Sequence, residues 1–233
     1  MRGIHKRKVE GDQVLYPLNL ELAGRSCAII GGGQVACRKA KGLLAAGAQV
    51  TVIAPELTGS LQELARQDRI SWRPEGYQQG MLQAIKPLLV FATADDKAAN
   101  DAAIAEAKEL GALVNAAADP EQTDFHVPSR IERGDLLLTV STGGGSPAFS
   151  RLLRERLEQE YPNGFGDFLV RLSRLRQTVK GMPGGSREHE RLWRQALTQH
   201  VIDLVRAGQL DQAEEEIKNG IINAGAQPQD GTC

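Results

Sequence analysis

A stretch of buried-strand character, Ala28-Ile29-Ile30, breaks into Gly31-Gly32-Gly33 and passes at once into a helix-forming segment, residues 37–46. Gly31, Gly33 and Ala36 have the spacing G-x-G-x-x-A. In that pattern Gly31 permits the tight turn and Gly33 keeps the backbone clear for a pyrophosphate. Ala36 lets the helix pack closely on the strand. Free N–H groups at the helix start then face the phosphates, so Gln34 and Val35 join Gly31 and Gly33 as candidate cofactor contacts. The triplet alone is a weak signal. Here residues 50–54 (Val-Thr-Val-Ile-Ala), following Gly47, supply a second buried strand and complete a βαβ unit. That context favours a nicotinamide-dinucleotide site over a structural glycine turn.

The same rhythm continues. A helix is expected over residues 60–67, a short strand over 69–73 and a buried strand over 88–92. A long alanine-rich helix over 97–110 stops at Gly111, and 112–115 is another short strand. Alternating strands and helices of this spacing give an α/β, Rossmann-type parallel sheet covered on both faces, with ligands outside the carboxyl ends of the strands. Those ends are residues 31–33, 54–56, Thr93 and 115–119. Beyond 119 the pattern changes. Strands over 125–128 and 136–141 predict a small hairpin-like α+β element, and Ser146-Pro147 starts a helix to about residue 160. Helices are expected over 165–180, 187–207 and 210–219. The organisation read here is a dinucleotide-binding domain over 1–114, a small α+β domain over 115–150 and a helical domain over 151–233. Residues 1–13 and 224–233 are expected to be loose.

The formal charge of −1 gives no reason to expect nucleic acid or an anionic membrane surface as partner. The apolar residues come in runs too short to cross a bilayer. The basic start, residues 1–10, lacks the apolar core of an export signal. Cys27, Cys37 and Cys233 have neither paired nor metal-ligand spacing, which fits small buried thiols in a reducing cytoplasm and no protein-held metal. One asymmetry stands out. Residues 161–200 carry seven basic side chains (Arg171, Arg174, Arg176, Lys180, Arg187, Arg191, Arg194) against three acids (Asp167, Glu188, Glu190). This suits either a polyanionic small molecule or an ordinary solvated helix face.

Further motifs accompany the fingerprint: Tyr16-Pro17-Leu18, Arg38-Lys39, Ala46-Gly47-Ala48, Ala54-Pro55-Glu56, Ala92-Thr93-Ala94-Asp95-Asp96, Asn115 with Pro120, Asp124-Phe125, Pro128-Ser129 and Ser141-Thr142-Gly143-Gly144-Gly145-Ser146-Pro147. Together, over roughly residues 14–180, the chain resembles the precorrin-2 dehydrogenases, free-standing or as the N-terminal part of siroheme synthases. The chain resembles the free-standing form, because it stops before any methyltransferase region. The resemblance implies a homodimer that oxidises the tetrapyrrole precorrin-2 to sirohydrochlorin with NAD⁺ on the route to siroheme. It also implies a dinucleotide-binding domain, a small dimerisation domain and a helical C-terminal domain. Some members insert ferrous iron as well.

The resemblance carries Pro55 and Glu56 over as cofactor contacts and Thr93 as a residue beside the cofactor. Ser141 and Thr142, at the head of a second glycine loop running into a helix, are read from that loop as substrate-side residues near the site. No Arg or Lys stands where a 2′-phosphate would need one, so NAD is expected rather than NADP. Thr93 has helix capping as its alternative role. The family acid implicated in dehydrogenation aligns with Ala118, and Asp119 stands one place on; it is the candidate catalytic residue, with an Asx turn before Pro120 as the alternative. A carboxylate of ordinary pKa, about 4, is a poor base unless burial raises it. Glycines 143–145 read as architecture, and His126 as a packing or surface residue. Ala118 keeps one other reading open, a non-catalytic nucleotide- or tetrapyrrole-binding module, and chelation of ferrous iron is a further option.

Overall fold

The computed structural model describes residues 15–226 and divides the chain into two units, Met1–Val127 and Pro128–Cys233. The expected loose segment over residues 1–13, like Cys233, lies outside the described residues. The first unit holds five parallel strands: β1 (Ser26–Ile30), β2 (Gln49–Ile53), β3 (Ser71–Arg73), β4 (Leu89–Ala92) and β5 (Leu113–Ala116). Four helices connect them: α1 (Gln34–Ala45), α2 (Gly59–Arg66), α3 (Met81–Ile85) and α4 (Lys97–Glu109).

Period-two alternation in β1 sorts the core into two layers. Cys27 and Ile29, with Val50, Val52, Leu89 and Phe91, face Ala36, Cys37, Ala40 and Leu43 of α1 and Leu61 of α2. Ala28 and Ile30, with Val90, Ala92 and Val114, face Leu82 of α3 and Ala103, Ile104 and Ala107 of α4. Ile29 and Val90 are fully buried, and each such aliphatic side chain contributes about 1.5–3 kcal/mol by leaving water. The strand order is β3-β2-β1-β4-β5. The chain therefore winds outward from β1 in one direction and from β4 in the other, which opens a crevice at the carboxyl ends of this central pair.

A buried carboxylate joins α4 to α3. Glu106 accepts hydrogen bonds from Tyr77 Oη, from Gly80 N at 2.7 Å and from Gln83 N at 2.9 Å, so a side chain of one helix caps the other. Burial would raise its carboxyl, but the bonds from Tyr77 and the backbone amides outweigh it and hold the group below the usual glutamate range. Glu106→Ala leaves two amides and a phenol unpaired and is expected to cost about 3 kcal/mol in urea unfolding at neutral pH. Because the folded-state pKa is depressed, this contribution is present above the unfolded value of about 4.3 and is lost as pH falls through the folded value. The gap between wild type and Glu106→Gln should therefore narrow in acid.

The second unit pairs β6 (Ser129–Arg133) with β7 (Leu136–Val140) antiparallel. Helices α5 (Pro147–Glu160), α6 (Gly164–Lys180), α7 (Ser186–Ala196), α8 (Gln199–Arg206) and α9 (Leu210–Ala226) follow. Phe168, Val179, Leu192, Val201, Val205, Ala213 and Ile217 form the core of α6–α9. α9 meets the end of α7 tightly at Gly220, where a Cβ would lie 2.9 Å from Ala196 Cα.

The structure departs from the sequence reading at several places. Residues 125–128 form no strand, because Asp124 is engaged with β5 and Phe125 packs edge-on against Phe91. The first hairpin strand is β6, turned at Gly134, which has φ +56°. The helix expected over 187–207 is two helices, since the Thr198 hydroxyl accepts from Val201 N and starts α8. α9 runs past 219 into the segment expected to be loose. The boundary expected at 114 falls inside β5, and the first unit continues to Val127.

Candidate cofactor site

Each of the three glycines after β1 answers a different constraint. Gly31 takes φ +110°, and its N–H donates to Ile53 O at 2.9 Å; a Cβ there would lie 2.8 Å from both Ala94 N and Thr93 O. Gly32 is tighter still. Its Cβ would lie 1.9 Å from Glu56 O, and its carbonyl accepts from Thr58 N at 3.0 Å, so the β2–α2 connection is locked onto the turn. At Gly33, by contrast, the backbone is ordinary (φ −80°, ψ −170°) and a Cβ would meet nothing within 4 Å. The space beside it is open.

Gly33 is also the N-cap of α1, which has no side-chain cap and no acid in its first turn. The first bond back to the cap is Cys37 N to Gly33 O at 3.0 Å. The amides of Gln34, Val35 and Ala36 thus begin the helix without intrahelical acceptors and carry the positive end of its dipole. Ala36 is fully buried, which brings α1 down onto β1. Open space beside Gly33, before uncapped amides at a strand-order reversal, is where a pyrophosphate can be held.

Around the turn, Pro55 and Glu56 are exposed at the end of β2, and Glu56 forms no salt bridge among the described residues. Trp72 Nε1 donates to Ala54 O at 2.9 Å and steadies that strand end. Thr93 does not cap α4. Its hydroxyl donates to Ile30 O at 2.9 Å, tying the ends of β1 and β4 together, while Asp96 caps α4 through Ala98 N. Asn100 holds the 93–96 loop from beneath: its side chain accepts from Ala94 N at 3.1 Å and donates to Ala94 O at 2.8 Å. The sequence reading missed Asn100. The available signal was a polar residue on the same helical face as Ala103, Ile104 and Ala107.

The loop after β5 is clamped by side chains. Asp124 Oδ2 accepts from Val114 N at 2.9 Å, and Asn115 Nδ2 donates to Phe125 O at 2.8 Å. Thr123 Oγ1 accepts from Ala116 N at 3.0 Å and closes the loop. Within it, Asp119 accepts from Glu121 N at 3.1 Å and from Gln122 Nε2 at 2.9 Å, capping a 3-10 turn over Pro120–Gln122. The Gln122 bond, followed by the backbone amides, holds its carboxyl below the usual aspartate range. This is the Asx-type geometry, and it makes the carboxylate a weak base. Ala118 is exposed beside it.

In the second unit, Thr142 Oγ1 accepts from Ser146 N at 3.2 Å and lies 3.0 Å from Ser150 Oγ, while Ser141 Oγ accepts from Gly143 N at 3.3 Å. Gly143 and Gly144 take φ +63° and +84° in open surroundings. These hydroxyls shape the loop that delivers α5, whose cap is Ser146. Of the basic cluster, Arg171 pairs with Asp211 at 2.6 Å and Glu214 at 3.2 Å, and Arg194 with Glu190 at 2.7 Å. Arg191 donates to Ala224 O at 3.1 Å. Arg174, Arg176, Lys180 and Arg187 have no ion pair among the described residues. His126 is exposed. Cys27 and Cys37 are buried free thiols, and burial pushes Cys27 up to about 11. Among the described residues no His/Cys/Asp/Glu group could hold a metal, and no helix is long and apolar enough to cross a membrane.

Sheet order, glycine turn and uncapped α1 define an α/β protein of the dinucleotide-binding class. Three family models match the chain in series. One described as “Putative NAD(P)-binding” covers residues 18–129, “Sirohaem biosynthesis protein central” covers 133–160 and “Sirohaem synthase dimerisation region” covers 164–221. Through these three domains in series the chain is similar to the siroheme synthases over residues 18–221. The siroheme synthase of Photorhabdus laumondii is 36% identical over 202 residues, covering 87% of this chain and 43% of the relative. That of Nitrosococcus oceani is 34% identical over 215 residues, covering 92% and 45%. The chain thus spans less than half the length of these curated relatives. A solved structure, SirC, precorrin-2 dehydrogenase, shares the fold with a TM-score of 0.69 at 23% identity, over 88% of this chain and 100% of that one. The dimerisation label falls on α6–α9, whereas the sequence reading put that element at 115–150.

Proposed function

We propose that this chain is an NAD-dependent precorrin-2 dehydrogenase, working as a cytoplasmic homodimer on a tetrapyrrole substrate. The observation that carries the reading is the open space at Gly33 in front of the uncapped α1 amides, in a chain whose relatives are siroheme synthases. The reaction removes a hydride and a proton from the macrocycle, giving sirohydrochlorin, NADH and H⁺. NAD⁺, when bound, supplies the hydride acceptor. Gly31, Gly33, Gln34 and Val35 hold the pyrophosphate. Pro55 and Glu56 flank the adenosine ribose, where the glutamate accepts hydroxyls and repels a 2′-phosphate. Thr93 fixes the floor of the crevice. The main work of the protein is to hold the reacting carbon in line with the acceptor. On the substrate side, Ser141 and Thr142 set the shape of the glycine loop.

Incubating the protein with precorrin-2 and either NAD⁺ or NADP⁺ tests this. Sirohydrochlorin should appear by its absorbance with NAD⁺, at least about tenfold faster than with NADP⁺. No product with either coenzyme rejects the reading. Adding ferrous iron and following siroheme reports chelation in the same assay.

Asp119 enters this scheme through the turn it builds. Asp119→Asn keeps an acceptor for Glu121 N and should hold turnover within about threefold, whereas Asp119→Ala frees the loop and should lower it about tenfold. An asparagine variant as slow as the alanine variant would instead make the negative charge the working feature.

A further inference from the structure

One ammonium of the first unit is held where no counter-ion meets it. Lys39 is half-buried on α1, and its Nζ stands 5.1 Å from the centroid of the Phe91 ring. Phe125 meets that ring edge-on, with centroids 5.4 Å apart and planes at 83°. No acid pairs with Lys39 among the described residues. Asp124, adjacent to Phe125 in the chain, has its carboxylate turned to Val114 N. Burial, and then the neighbouring Arg38, push the Lys39 amine below the usual lysine range. A ring face is a weaker partner than a carboxylate, so the charge is incompletely compensated.

The direction of the side chain matters. Helical side chains lean toward the N-terminus of their helix, and α1 begins at Gly33. The Lys39 stem therefore runs back toward the glycine turn, and Phe91 stands two residues before Thr93 on β4. The ammonium and the half-buried Phe125 thus stand together near the carboxyl ends of the strands, with Phe91 buried beneath them. What they offer is the exposed part of the Phe125 ring beside a partly desolvated cation. That combination matches a flat apolar macrocycle edged with carboxylates.

We propose that Lys39 binds a carboxylate of the tetrapyrrole, with Phe125 against the adjoining apolar edge. The assignment rests on the precorrin-2 reading and adds a substrate-binding residue to it. Lys39 sets substrate affinity. It takes no part in holding the coenzyme.

The test is a fluorescence titration of the NAD⁺-saturated protein with uroporphyrin, a stable octacarboxylate tetrapyrrole, in wild type, Lys39→Met and Lys39→Arg. Methionine keeps an unbranched stem over Phe91 without the charge. It should weaken uroporphyrin binding about tenfold, arginine should stay within about threefold of wild type, and NAD⁺ affinity should be the same in all three. In turnover, Lys39→Met should raise KM for precorrin-2 with kcat nearly unchanged. A methionine variant that binds uroporphyrin as tightly as wild type overturns the role of Lys39 and leaves the dehydrogenase reading standing. A wild-type protein that binds NAD⁺ but no uroporphyrin and oxidises no precorrin-2 overturns both.

Discussion

Gly33→Val yields a folded protein that no longer binds NAD⁺. The backbone at this position lies in a region open to every L-residue, and a Cβ there would meet nothing within 4 Å. The cost to folding is then limited to a poorer N-cap for α1, about 1 kcal/mol, and the thermal midpoint should fall by no more than about 4 °C. The branched side chain instead fills the space before the amides of Gln34 and Val35 and keeps a phosphate beyond hydrogen-bond distance. Calorimetric titration should show at least about a hundredfold loss of NAD⁺ affinity, equivalent to roughly 2.7 kcal/mol. Unchanged affinity would place the dinucleotide elsewhere.

One residue earlier the outcome reverses. Gly32→Ala puts a methyl group 1.9 Å from the Glu56 carbonyl. The obstacle is main chain, so no rotamer change relieves it, and the β2–α2 connection must move away from the turn. That movement also breaks the Thr58 N to Gly32 O bond. The expected loss is about 3 kcal/mol, read as a lower urea midpoint with an unchanged m-value. Coenzyme affinity should fall as well, because Glu56 is carried off with its backbone. A wild-type midpoint for Gly32→Ala would show that the two loops are not in contact.

This pair marks where the sequence was readable and where it was not. Spacing singled out Gly31, Gly33 and Ala36 because their constraints arise within one strand–turn–helix unit. The need for glycine at 32 comes from a carbonyl at residue 56, and nothing local signals it. Thr93 was legible as a strand end, but its partner Ile30 O lies on another strand, and so helix capping remained a fair alternative. Asp119 was ambiguous for a local reason: an Asp before Pro120 suits an Asx turn and an acid–base role equally, and the hydrogen bonds to Glu121 and Gln122 follow the first.

Among the secondary elements, buried strands and long amphipathic helices were readable from their periods. α3 was not, having five residues between two left-handed positions, Gly80 and Lys86. Residues 125–128 misled because Phe125 is apolar for the sake of Phe91 rather than of a sheet partner. The α7–α8 junction was hidden because the apolar period continues across it, with Thr198 as the only local sign of a break.

The staple formed by Thr123 on Ala116, with Asp124 on Val114 just behind it, has an evolutionary corollary. It isolates the short arc between them from the load-carrying sheet. Ala117 and Ala118, both solvent-facing within that arc, are free to be exchanged for bulkier or charged side chains without unsettling β5. A lineage carrying this staple can remodel the rim of its crevice by point substitution while the scaffold beneath stays constant.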